Sequence, residues 1–259
     1  MYILAIETTG PVGSVAVVDE KGKIVGEEAC SGQMSHLKDL IPMTARLLGS
    51  TGIRKEDLSV IATSIGPGSF TGIRIGVSTG RALCQALASA DGLSVPTLES
   101  FLYCDGPLRE KEKAQDSDNI VICPIINARR GQVYGMVEGF LEAGPYMLAD
   151  ILEVIKREVF PQGKKVVFMG DGIDAYEDII CAELDEAVAA KGENSFYLMP
   201  KELRYQDAKG VGRLAAQMLS SGAKPQGFAE LLPDYMRKAE AEQKLESGQL
   251  PICKGPKQE

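Results

Sequence analysis

A single histidine, His36, occurs in the 259 residues. That excludes any two-histidine metal site and leaves room for only one Ser/His or Cys/His dyad. There is no Cys-x-x-Cys pair either. Cys30, Cys84, Cys104, Cys123, Cys181 and Cys253 are scattered, three of them in apolar runs, which fits reduced core thiols and a cytoplasmic location. No run approaches the ~20 apolar residues of a membrane span, and the opening MYILAIETTG lacks the basic segment of a signal peptide. Positive charge is in deficit, with 28 Lys and Arg against 36 Asp and Glu and a net charge of -8. A chain so charged is not expected to grip a nucleic acid alone, so any RNA contact requires a partner.

What the chain does have is apolar content, 44% of residues, enough for a substantial core in one large or two small domains. Its most informative stretch is SIGPGSFTGIRIGVSTGRALCQALA, residues 64–88. The β-prone run 60–65 meets Gly66, Pro67 and Gly68, and helical spacing begins near Phe70. At 100° per residue, Arg74, Ser78, Arg81 and Gln85 form a polar strip, while Gly72, Gly76, Gly80, Cys84 and Ala88 form a stripe of small residues. Two interior glycines give up roughly 2 kcal/mol of helix propensity, which close backbone packing must offset. The helix is expected to meet its own sheet on one side and something close to its backbone on the other.

In chain order, strands are expected over 2–7, 13–18 and 23–30, then a helix over 34–49 interrupted by Pro42 and stopped at Gly49. A strand over 60–65, the glycine-stripe helix, a strand over 93–96 and a short helix from Glu99 complete a first unit, residues 1–107. The charged stretch 107–119 lacks apolar periodicity and reads as a linker. A second unit, 118–206, repeats the order: strands over 120–126 and 132–140, a short one over 146–148, a helix capped by Asp150, a strand over 166–169, a helix over 175–190 and a strand over 196–199. A helix over 207–221 can pack back on the first unit. Residues 222–241 form a last ordered segment, and 242–259 read as a flexible tail. Two βββαβα halves with mixed sheets flanked by helices are the pattern of the α/β actin-like superfamily, which includes sugar kinases and heat-shock ATPases.

The phosphate motifs of that superfamily are weak here. Gly66 to Gly72 precedes a helix, where N–H groups favour anions, yet it fits neither the Walker loop nor GxGxxG. Where the superfamily places an Asp-x-Gly loop at the first hairpin of each half, this chain has Glu7-Thr8-Thr9-Gly10 and Asn127-Ala128-Arg129-Arg130-Gly131. The first retains an acid. The second has lost it and gained two arginines, which argues against phosphoryl transfer. Gly170-Asp171-Gly172 lies where the superfamily closes over adenosine, and serves equally as a strand-to-helix turn.

The string GPGSFTGIRIG, 66–76, resembles the TsaB (YeaZ) family, and so do ILAIETT, Ser35-His36, VPTLES, NARRGQVY, GDG and PDYMRKAE, in that order along nearly the whole chain. This resemblance implies a non-catalytic subunit that forms a heterodimer with a paralogue, TsaD. TsaD carries the metal-binding histidines and transfers a threonylcarbamoyl group to adenosine 37 of tRNAs reading codons that start with adenine; TsaE supplies ATPase activity through the complex. By resemblance the two helices of the first half contact TsaD, through Met34, His36, Leu37, Leu40, Ile41, Leu48, Phe70, Gly72, Ile73, Gly76, Val77 and Gly80. Glu7, Thr8, Thr9, Gly170, Asp171 and Gly172 would be a vestigial nucleotide site. No metal and no cofactor of the chain's own is expected, a nucleotide at the partner interface stays open, and a homodimer is the alternative when the chain is alone. A small-molecule kinase of the same fold is the competing reading.

Overall fold

The computed structural model describes residues 1–30, 36–114, 117–189 and 196–236. Strands β1 (Tyr2–Glu7), β2 (Ser14–Asp19) and β3 (Ile24–Ala29) form an antiparallel meander, followed by α1 (His36–Thr51), β4 (Leu58–Gly66), α2 (Phe70–Ala86) and β5 (Asp91–Pro96). After α3 (Thr97–Ser100) and α4 (Asp105–Lys113) the order recurs: β6 (Ile120–Asn127), β7 (Gln132–Val137), β8 (Leu141–Met147), α5 (Leu148–Val154), β9 (Lys165–Met169), α6 (Gly172–Ala189) and β10 (Phe196–Leu198). Helix α7 (Ala208–Ser220) closes the regular structure. The two sheets run β3-β2-β1-β4-β5 and β8-β7-β6-β9-β10, so the same topology occurs twice. In each, the first strand pairs antiparallel with the second and parallel with the fourth. This is the expected duplicated α/β architecture.

Strand side chains alternate between faces, and both faces of the first sheet are covered, which is why β1 reads as a continuous apolar run. Leu4 and Ile6 point toward Leu40, Met43 and Leu47 of α1 and Cys84 of α2. Ile3 and Ala5 point the other way, onto Val211, Leu214 and Ala215 of α7. The second sheet buries Val121, Cys123 and Ile125 under α5 and α6, and turns Ile122 and Val167 toward Leu98, Phe101 and Cys104. Helix α7 and the α3–α4 segment therefore sit between the sheets.

Several local expectations are corrected. Gly49 does not stop α1, which runs to Thr51 and ends before Gly52, whose φ of +71° is the left-handed conformation a helix terminus uses. The charged stretch read as a linker carries most of α4, held by Asp105, which pairs with Lys209 at 2.7 Å and Arg213 at 2.8 Å on α7. Strand β8 begins at Leu141 rather than 146, and it tolerates Pro145 because it is an edge strand. Asp150 lies in the first turn of α5 and Met147 holds the cap position. The expected tail, 242–259, and Met34 lie outside the described residues.

Candidate functional site

The loop after β1 is built around Glu7, which is fully buried. Its Oε1 accepts the N–H of Thr9, the Thr9 hydroxyl at 2.6 Å and the N–H of Gly10 at 3.3 Å. Burial pushes the carboxyl above its ordinary value of 4.5, and the Ser64 and Thr9 hydroxyls with the Thr9 and Gly10 N–H groups work against that. Among the described residues, Oε2 and the Ser64 hydroxyl have no partner at hydrogen-bonding geometry. Gln206, also buried, donates to the Thr9 hydroxyl at 3.2 Å and closes the loop from the α7 side. The N–H groups that would face a phosphate in this loop are thus met by the chain's own carboxylate.

The start of α2 presses on the same loop. Ser69 donates its N–H to Thr9 O at 2.8 Å and caps the helix by accepting from Gly72 N at 3.2 Å. The Thr8 hydroxyl donates to Gly72 O at 2.7 Å. A Cβ on Gly72 would run into the Thr8 carbonyl oxygen, one on Gly76 into the Thr8 hydroxyl, and one on Gly80 would lie 2.5 Å from the Thr63 hydroxyl and 3.1 Å from Leu231. The three glycines of the stripe are therefore covered by the loop after β1, by β4 and by the segment after α7, while Ala88 at its far end is exposed. This corrects the expected partner contact for Gly72, Gly76 and Gly80, and also for Ile73 and Val77, which are buried with Leu231, and for Leu40, which is buried against the first sheet.

Other members of that set are placed differently. Ile41 is 50% exposed and Phe70 40%, while Leu48 is half-buried. His36 and Leu37 begin α1, and their side chains lie outside the described residues. The polar strip of α2 faces outward as its spacing predicts, with Arg74, Ser78 and Gln85 exposed and Arg81 half-buried. Arg74 lies 4.0 Å over the Phe70 ring and donates to the Tyr235 hydroxyl at 3.1 Å; the two rings are 4.9 Å apart.

The second half uses the same device. A Cβ on Gly170 or Gly172 would meet the Ile125 carbonyl oxygen, so these glycines let the β9–α6 turn lie on β6. Asp171 Oδ1 accepts the Asn127 N–H at 2.9 Å, and burial raises its carboxyl while that N–H opposes the shift. Asn127 Oδ1 accepts the Arg129 N–H at 2.8 Å and the Tyr176 hydroxyl at 3.2 Å. Asp171 and Asn127 line an open groove of about 720 Å³ with Pro11, Asp174, Ala175, Glu177, Lys201, Arg204 and Tyr205. In it Asp174 is engaged by Arg204 at 2.8 Å and by the Tyr205 hydroxyl at 2.6 Å, and burial followed by that bond pushes Tyr205 to about 12. Of the six residues expected to form one nucleotide site, Asp171 lines this groove, while Glu7, Thr8 and Thr9 are buried and are not among its lining residues. Gln206, Tyr176, Leu231 and Tyr235 carry no sequence signal of their roles, because each acts on an element far away in the chain.

A family model described as TsaD, tRNA N6-adenosine threonylcarbamoyltransferase, matches residues 18–245. The tRNA threonylcarbamoyladenosine biosynthesis protein TsaB of Bacillus subtilis (strain 168) is 30% identical over 94% of this chain and 97% of its own. The chain belongs to the TsaB family. It sits within the wider family that the TsaD model describes. TsaB of Escherichia coli (strain K12) is 26% identical over 95% of this chain and 98% of its own. The structure of YeaZ from Pseudomonas aeruginosa superposes with a TM-score of 0.64 at 21% identity, covering 90% of this chain and 99% of that one, and shares its fold. Membership places the chain in the biosynthesis of threonylcarbamoyladenosine in tRNA. Among the described residues no helix is long and apolar enough to cross a membrane.

Proposed function

We propose that this chain is a non-catalytic subunit that pairs with TsaD, works with TsaE through the complex and meets tRNA only there. The observation that carries this reading is the occupation of the first loop: the Thr9 and Gly10 N–H groups that a kinase of this fold would give to phosphate are bonded to Glu7. The single histidine adds to it, since one imidazole cannot supply the histidine set that the resemblance assigns to TsaD. Pairing is assigned to the outer surface of α1 and α2, now through Ile41, Phe70 and Arg74 rather than the glycine stripe. Large apolar side chains left in water beside an exposed arginine are the composition of an interface centre.

Two measurements on the purified chain test the reading. Alone it should release no phosphate from ATP above background and modify no tRNA; adding it to TsaD, TsaE and the threonylcarbamoyl donor should switch modification on. Turnover by the chain alone at about 1 per second, in the ordinary enzyme range, and lost in Glu7→Gln, would overturn it.

A further inference from the structure

The β6–β7 hairpin ends in three consecutive left-handed residues: Arg129 with φ 65°, Arg130 with φ 55° and Gly131 with φ 76°. Glycine adopts this region freely. For an arginine it brings Cβ against the following carbonyl oxygen, and Asn or Gly would build such a tip with less strain. Contacts from outside the turn hold it in place. Tyr176 of α6 bonds both Asn127 Oδ1 and the Gly131 N–H, each at 3.2 Å. Asp171 holds the Asn127 N–H at 2.9 Å, and Leu148 at the start of α5 donates its N–H to Gly131 O at 3.0 Å. The tip is a rigid bracket and its two arginines are exposed.

Neither guanidinium makes an ion pair or hydrogen bond among the described residues. This is notable in a chain with 36 carboxylates against 28 Lys and Arg, where partners of the right sign are abundant. No Asp or Glu occurs between Asp118 and Glu138, so the hairpin is a local positive charge on an acidic protein. Of the three carboxylates in the groove, Asp171 is engaged by the Asn127 N–H and Asp174 by Arg204 and Tyr205, and Glu177 forms no ion pair with either arginine.

We propose that Arg129 and Arg130 form a contact for the phosphate backbone of tRNA when the chain sits in its complex with TsaD. A guanidinium presents a planar fork that matches two phosphate oxygens. Two forks fixed on a rigid tip lose little freedom on binding. A net charge of -8 opposes a polyanion as a whole, so the chain can contribute only a local contact, which is what a two-arginine tip supplies. The inference rests on the pairing with TsaD proposed above.

The test uses the full chain with TsaD and a double variant, Arg129→Asn with Arg130→Gly, which suits the left-handed turn. Its melting temperature should equal or exceed that of the wild type, so loss of fold cannot explain the result. Size-exclusion chromatography should show unchanged pairing with TsaD. tRNA binding by the complex should weaken several-fold at low salt, and the slope of log K against log salt should shrink by about 1 to 2, one for each phosphate that an arginine no longer neutralises. Arg129→Lys with Arg130→Lys, which keeps the charge, should retain most of that slope. A double variant that pairs normally and binds tRNA with unchanged affinity and slope overturns the proposal. Loss of pairing in the variant also overturns it, since the tip would then touch protein. Failure of the wild-type chain to pair is a separate result that sinks the subunit reading and this contact with it.

Discussion

Replacing Gly72 with alanine pits helix propensity against packing, and the structure says which wins. Alanine in a helix interior is favoured over glycine by about 1 kcal/mol. Against this, the new Cβ would meet the Thr8 carbonyl oxygen, a backbone atom that no rotamer change can move. Forcing an extra methyl into a packed site costs about 1–3 kcal/mol. Backing α2 away also breaks the buried bond from the Thr8 hydroxyl to Gly72 O, now 2.7 Å long, and stranding such a buried group costs about 1–3 kcal/mol. The balance is a net loss of about 3 kcal/mol, or a melting temperature roughly 6–12 °C lower for a chain of this size. Gly80→Ala is the contrast: its obstacles are side-chain atoms, the Thr63 hydroxyl at 2.5 Å and Leu231 at 3.1 Å, rather than backbone, so the change should cost less than Gly72→Ala. Ser78→Ala, on the exposed strip, should stay within about 0.5 kcal/mol. Circular dichroism melts and urea titrations read all three. A Gly72→Ala protein as stable as the wild type would refute the placement of α2 against Thr8. In the same way, Gly76→Leu that keeps its stability and loses only TsaD would return the stripe to the subunit interface.

Two further perturbations bear on the loop and the partner face. Glu7 titrates above its unfolded value of 4.5 because it is buried, so the folded state holds the proton more tightly, and its contribution to stability falls as pH rises from about 4.5 through the raised folded value. Glu7→Gln should flatten that part of the pH profile and keep the loop, whereas Glu7→Ala, which strands the Thr9 and Gly10 N–H groups, should cost about 3 kcal/mol; an unchanged slope in Glu7→Gln, measured by melts across pH, would count against the assignment. Ile41→Asp, at a site already 50% exposed, should leave the monomer's stability within about 0.5 kcal/mol. Its pairing with TsaD should weaken by about 2 kcal/mol or more, roughly thirtyfold, and an unchanged dissociation constant by calorimetry would remove α1 from the interface.

The duplicated fold was legible because β1 and β6 read as short continuous apolar runs bounded by turn residues, and α2 and α7 carry apolar residues at helical spacing. Helix α4 was hidden because its anchors, Lys209 and Arg213, lie about a hundred positions away. The glycine stripe announced a close approach to the helix backbone without naming what approaches: Thr8 and Thr63 of the same chain leave the same pattern as a second subunit would. The loops show a subtler limit. Asn127 stands where the superfamily carries an acid, so the sequence reads as a loss of charge. In the folded chain a carboxylate is there, supplied by Asp171 from the β9–α6 turn, and it takes the Asn127 N–H. Asn127 Oδ1 and the Tyr176 hydroxyl take the N–H groups of Arg129 and Gly131. The first loop reaches the same end through Glu7 on its own strand. Both hairpins therefore satisfy their N–H groups from within, by different residues, and a phosphate at either would first have to displace a bond the chain already makes.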